Sequence, residues 1–155
     1  MLCIEIPGLK ALKLHHLVLD FNGTIARDGK LIEGMISCLE ALHSHLRIYI
    51  LTADTYGTVT EQCQGLPAEV KTFPVTGAAD HKAQFVRELG AGVVCLGNGL
   101  NDIKMFQAAD LSIAVLDREG VCAGLLAHAD VLVTSPEDGL GLLMHPDRLR
   151  ATLRS

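Results

Sequence analysis

Tryptophan is absent from this 155-residue chain, and four phenylalanines and two tyrosines are its only aromatics. A core of stacked rings is excluded, so the interior must be Leu, Val, Ile and Ala. No apolar run approaches the roughly 20 residues needed to cross a bilayer as a helix. No apolar segment with a small-residue cleavage site follows Met1, so a cytoplasmic location is expected. Positive charge is also in short supply. Thirteen Lys and Arg against 18 Asp and Glu leave a net charge of −5, a poor balance for a nucleic-acid or anionic-membrane partner. The five cysteines (Cys3, Cys38, Cys63, Cys95 and Cys122) form no CxxC. Incidental or buried thiols in a reducing compartment fit better than disulfides or a metal–thiolate site.

What is present is aliphatic and periodic. About half the residues are hydrophobic, and the length suits one domain, 1–155. Apolar runs at 14–21, 46–53, 92–99, 110–116 and 130–135 read as strands, with a shorter extended segment at 68–75. Between them lie helical patterns at 33–45, 55–65, 78–89, 100–109 and 119–129. A helical tail at 136–153 is broken near Pro146. In 33–45, Met35, Leu39 and Leu42 share a face; in 78–89, Ala83, Val86 and Leu89 do, and Gly90 ends the helix. Asp28-Gly29 predicts a tight hairpin within 23–32. The strands are continuous apolar runs, not alternating ones. That pattern predicts an α/β domain, a Rossmann-like parallel sheet with helices on both faces and no repeat or linker.

In an open parallel sheet, ligands sit beyond the carboxyl ends of the strands. The first strand ends at Asp20, followed by Phe21-Asn22-Gly23-Thr24. The second ends in "LTADT", with Thr52 and Ala53. The third ends in "GNGLND", with Asn98, Asn101 and Asp102. Lys82 stands early in the helix before that third strand; Lys71 is the other nearby lysine, in a poorer context. Hard oxygens, a hydroxyl and a lysine gathered at one edge suit a phosphate and a magnesium ion. Each residue also has a plain structural reading. Asp20 could form a turn, Asn98 and Asn101 could be turn residues, and Asp102 could cap the next helix. The seven histidines show no ligand spacing.

In order, "DFNGTI", "LTADT", Lys82 and "GNGLND" resemble the four motifs of the haloacid dehalogenase superfamily. The run "GNGLNDIKMFQAADLSIAV" is most similar to the phosphorylation domain of P-type cation ATPases. The resemblance covers residues 14 to about 135. It implies an Mg2+-dependent phosphohydrolase in which Asp20 becomes an aspartyl phosphate. It further implies that Thr52, the Ala53 N–H, Lys82 and Asn101 bind phosphate. Mg2+ would be held by Asp20, the backbone carbonyl of Asn22, and Asn98 and Asp102.

Two residues depart from the pattern. Soluble phosphatases of this superfamily carry an acid–base Asp two residues after the nucleophile, and here Asn22 cannot carry a proton. General acid–base help is worth about 10²–10⁴-fold, so substrates with good leaving groups are expected: ATP and other nucleotides, acyl phosphates or aryl phosphates. Asn98 replaces an Mg2+-binding Asp and removes one negative charge. An alternative is therefore a catalytically degenerate binding or regulatory protein that keeps the fold. Only about 30 residues separate Asp20 from Thr52, and 30 separate Thr52 from Lys82. Neither gap leaves room for a cap, and a second copy of the chain could cover the open site. The uncapped sugar-acid phosphatases of lipopolysaccharide synthesis are the rival family reading, but they retain the second Asp.

Overall fold

A computed structural model describes residues 1–53 and 58–155. The chain opens with an element the apolar pattern does not announce. Strands β1 (Leu2–Ile4) and β2 (Leu12–Leu14) pair antiparallel around Pro7-Gly8. Three-residue strands are too short to show a period, yet Ile4, Ile6 and Leu14 are buried in the main core. The expected strand at 14–21 is divided accordingly: Leu14 ends β2, and β3 (His16–Asp20) follows.

Next come the short hairpin β4 (Ala26–Arg27) and β5 (Lys30–Leu31), then α1 (Met35–His43), β6 (Arg47–Thr52) and α2 (Val59–Gln62). Of the helix expected at 55–65, residues 55–57 lie outside the described residues; the described part is helical only over α2 and turns at 63–65, up to the expected stop at Gly65. β7 (Glu69–Thr72), α3 (Ala78–Leu89) and β8 (Val93–Gly97) come next. A 3-10 turn at Leu100–Asp102 then leads into α4 (Ile103–Ala108), so the helix expected at 100–109 begins as a tighter turn. β9 (Leu111–Val115), a 3-10 segment at Ala123–His128, and β10 (Val131–Val133) complete the sheet. α5 (Pro136–Met144) and α6 (Pro146–Leu153) are the tail, broken where Pro146 cannot continue a helix.

The predicted α-helix at 119–129 is a correction. Gly120 takes φ +80°, and the Cys122 N–H donates to the Asn98 carbonyl at 2.8 Å. These pull the start of the segment toward β8, and the remainder, Ala123–His128, winds as a 3-10 helix.

Six strands form one parallel sheet in the order β10-β9-β8-β3-β6-β7. Alternate residues of β3 serve opposite faces. Leu17 and Leu19 join the core under α1, α5 and α6, while Val18 joins Val86 of α3 and Met105 and Phe106 of α4. Both faces are thus covered by aliphatic side chains, as the continuous apolar strands require. The chain runs outward from β3 through β6 to β7, then returns to β8 on the other side of β3. That reversal between β3 and β8 is the topological switch point where such sheets open a crevice.

Candidate active site

Asp20 is the last residue of β3, and β8 ends one residue before Asn98. Lys82 comes from the second turn of α3. Its helix places Ala83 and Val86 inward, and Lys82 shares their burial: the side chain is fully enclosed. An ammonium in that position must find anions, and it finds two. Nζ donates to Asp20 Oδ1 at 2.6 Å and to Asp102 Oδ1 at 2.8 Å. The other oxygen of Asp102 accepts the Asn98 and Gly99 N–H groups at 3.0 and 2.9 Å. Asp102 therefore locks the loop after β8 while it faces the lysine. Gly97 makes room for this: a Cβ there would stand 2.6 Å from Asp102 Oδ2.

Thr24 is a site residue that sequence reasoning passed over, although it lies inside "DFNGTI". It is fully buried. Its hydroxyl lies 3.2 Å from Asp20 Oδ2 and 3.3 Å from Asn98 Oδ1, which links the loops after β3 and β8. Asn98 also donates from Nδ2 to the Gly120 carbonyl at 3.0 Å. The backbone between these groups is tight. Gly23 has φ +76°, and a Cβ there would meet Asn98 Nδ2 at 2.3 Å, so only glycine fits.

Thr52, buried, ends β6 one residue beyond Leu51, the register partner of Asp20. Ala53 follows it, half-buried, and Asn101 is half-buried in the 3-10 turn. Asp20, Lys82 and Asp102 are in direct contact, Asn98 joins through Thr24, and Thr52 stands at the adjacent strand end. Lys71 is paired with Glu69 on β7, so Lys82 is the lysine brought to Asp20.

One ammonium shared by two carboxylates leaves a negative charge in surplus. Burial pushes the Asp20 carboxyl up to about 6, the Asp102 charge adds to this, and Lys82 and the Thr24 hydroxyl oppose it. For Lys82, burial works against the charged form, but Asp20 and Asp102 outweigh it and hold the ammonium above the ordinary lysine range.

A divalent ion would need oxygens on the remaining side of Asp20. Asn22 offers one: its Oδ1 is shielded from solvent and has no hydrogen-bond partner among the described residues. Among the described residues, Asn98 Oδ1 is engaged only by the long Thr24 contact. No group of three or more His, Cys, Asp or Glu side chains suited to a metal occurs among the described residues. The donors thus comprise one carboxylate plus amide and backbone oxygens, all hard. They fit Mg2+ chemistry with less charge than two carboxylates would give.

The flap is tied down on both sides, another feature the sequence did not expose. Asp28 (φ +50°) and Gly29 (φ +74°) make the predicted tight turn. Arg27 grips Asp117, beyond β9, through both Nε and Nη2, the latter at 2.9 Å. The Asp28 N–H donates to Glu119 Oε1 at 2.7 Å. Opposite, the Leu31 N–H donates to Gln62 of α2 at 3.2 Å.

No family model matches the chain. Two proteins of Methanocaldococcus jannaschii, both described only as uncharacterized, are related to it. MJ0073 is 37% identical over 62 residues, which is 40% of this chain and 67% of that protein. MJ0072 is 54% identical over 39 residues, 25% of this chain and 89% of that protein. The chain belongs with them in one family.

Among solved structures, the 3-deoxy-D-manno-octulosonate 8-phosphate phosphatase of Moraxella catarrhalis superposes with a TM-score of 0.71 at 18% identity. The match covers 92% of this chain and 95% of that one. That enzyme was solved with magnesium, phosphate and the sugar acid. A protein of Legionella pneumophila assigned to the HAD superfamily gives 0.71 at 17%, over 92% and 88% of the two chains. The chain has the uncapped haloacid dehalogenase fold. A zinc-transporting PIB-type ATPase gives 0.64 at 24% identity, over 79% of this chain and 20% of the ATPase. Of these, the sugar-acid phosphatase gives a higher TM-score than the ATPase, and the ATPase the higher identity. No helix among the described residues is long and apolar enough to cross a membrane.

Proposed function

We propose that the protein is a phosphohydrolase that carries the phosphoryl group on Asp20. The observation that carries this reading is the fully buried Lys82 ammonium held between Asp20 and Asp102 at the switch point. A buried lysine costs stability unless it is matched, and this one faces the carboxylate that ends the central strand.

In the reaction, an Asp20 oxygen bonds to phosphorus as the bond to the leaving-group oxygen breaks. The leaving group departs with the electron pair. Water then bonds to the same phosphorus, the bond to Asp20 breaks, a proton passes to solvent, and inorganic phosphate leaves. Lys82 fixes the Asp20 carboxylate and offsets charge on the phosphoryl oxygens. Thr52, the Ala53 N–H and Asn101 bind those oxygens. Thr24 orients Asp20, and Asp102 positions Lys82 and the loop after β8. We assign Asp102 to positioning because both of its oxygens are already bonded within the protein. Asp20, Asn22 and Asn98 would hold Mg2+, which when bound supplies positive charge to the transferring phosphoryl group.

Asn22 has no proton to give a departing alkoxide, so substrates must leave as stable anions: nucleoside polyphosphates, acyl phosphates or aryl phosphates. Steady-state kinetics test this directly. Efficiency on p-nitrophenyl phosphate should exceed that on a sugar monophosphate; equal efficiencies would remove the role given to Asn22. A second reading, a binding or regulatory protein on the same fold, is favoured by the two amides, Asn22 and Asn98, in the loops after β3 and β8. It predicts phosphate binding with no turnover of any phosphate ester. A second copy of the chain would cover the site, and sedimentation would detect it as a stable oligomer.

A further inference from the structure

Four of the seven histidines gather in the fold although they form no pattern in the sequence. His15, His16, His43 and His45 meet Arg47 and Tyr49 around a cavity of about 780 Å³ at the amino ends of β3, β6 and β7. His16 opens β3 and Asp20 closes it. The cavity therefore stands about 13 Å from the candidate active site, at roughly 3.3 Å per strand residue. A neighbouring hollow of about 720 Å³ shares His15 and Ala91 with it and adds Lys10 and Lys13.

Two acidic residues line these hollows, and both are engaged. Glu69 pairs with Lys71. Asp110 accepts the Gly92 and Val93 N–H groups at 2.6 and 2.9 Å. Among the described residues Arg47, Lys10 and Lys13 make no ion pair. A chain of net charge −5 therefore concentrates unpaired cationic and imidazole groups at one end. Such a concave patch focuses potential on anions. His15 is exposed at its wall, and behind it the His16 Nδ1 is shielded from solvent and has no hydrogen-bond partner among the described residues. Its ring lies 6.2 Å from that of His15 and 5.9 Å from that of Tyr49.

We propose that the amino end of the sheet is a second binding site, for a small polyanion bearing phosphate or carboxylate groups. The Arg47 fork and the imidazole N–H groups donate to its oxygens, and the hollow is shallow and open, so charge and not enclosure supplies the binding. Neither the reaction at Asp20 nor the hydrophobic core uses the Arg47, Lys10, Lys13 or histidine side chains.

The test is an imidazole 15N NMR titration of the intact protein with pyrophosphate and, separately, with citrate. Saturable shifts of the His15 and His16 rings are expected. A response to pyrophosphate alone assigns the site to phosphates, to citrate alone assigns it to carboxylates, and to both assigns it to polyanions in general. Arg47 and Lys13 are exposed, so the double variant R47Q/K13Q keeps the fold. It should weaken the titration about tenfold or more and leave p-nitrophenyl phosphate turnover unchanged. The proposal is overturned if the His15 and His16 rings do not shift, if shifts are confined to residues around Lys82, or if the double variant titrates like the parent.

Discussion

Lys82 is the residue on which both stability and chemistry turn. Replacing it with Met would leave Asp20 and Asp102 facing each other without a counter-charge. Breaking a buried pair in this way costs about 3–5 kcal/mol. We predict a loss of that order in urea unfolding, together with loss of turnover. Asn22→Asp should act in the opposite sense. Restoring a proton carrier beside Asp20 should raise turnover of alkyl phosphates, by up to about 10²–10⁴-fold, with far less effect on p-nitrophenyl phosphate. An unchanged ratio of the two rates would show that residue 22 is not the missing acid.

The pH dependence of Asp20 has a definite sign. Its carboxyl is raised from an ordinary 3.8 to about 6 in the metal-free fold, chiefly by burial. Between those values the folded state holds a proton that the unfolded state has released. This group therefore lowers stability as pH rises from about 4 to about 6. A carboxyl 13C titration of Asp20 should show a midpoint near 6, and the nucleophilic form should accumulate above it. A midpoint near 4 would contradict the assigned environment.

At the scale of elements, the flap hairpin is the piece whose attachment can be tuned. Arg27 holds the Asp117 carboxyl below the usual range by its hydrogen bonds, which outweigh the partial burial of that carboxyl. The clasp is complete above the ordinary carboxylate pKa and is lost as pH falls through the depressed value. Because Arg27 is partly exposed, Asp117→Asn should cost no more than about 1 kcal/mol globally. Its local effect should be larger: faster hydrogen exchange of the Asp28 and Leu31 amides, which donate to Glu119 and Gln62. Unchanged exchange would mean that the turn alone holds the flap.

Legibility in the sequence also sorts by element. The central strands β3, β6, β8 and β9 are readable because burial on both faces makes them continuous apolar runs. The helices α1 and α3 were readable because one apolar face is all they need. The β1–β2 hairpin was not readable, because three-residue strands carry no period and their burial depends on distant partners such as Leu149 of α6. The 119–129 segment misled because its composition allows a helix, while the Cys122–Asn98 backbone bond, formed across 24 residues, forbids one. Asp20, Thr52, Lys82 and the "GNGLND" loop were found by their order along the chain. Thr24, Arg27 and Asp117 were not, because the contacts that give them a role in joining loops reach across 74 to 90 residues.

For the molecule as a whole, an aliphatic α/β sandwich holds the buried Asp20–Lys82–Asp102 cluster at one end of its sheet and a cationic hollow at the other. The central claim concerns the first. The most direct measurement is mass spectrometry of the acid-quenched protein after incubation with acetyl phosphate and Mg2+. We predict one added phosphoryl group on the peptide that contains Asp20. It should be removed by hydroxylamine, absent without Mg2+, and absent in Asp20→Ala. A protein that stays unmodified while turning over p-nitrophenyl phosphate, or one phosphorylated at another residue, would contradict the account.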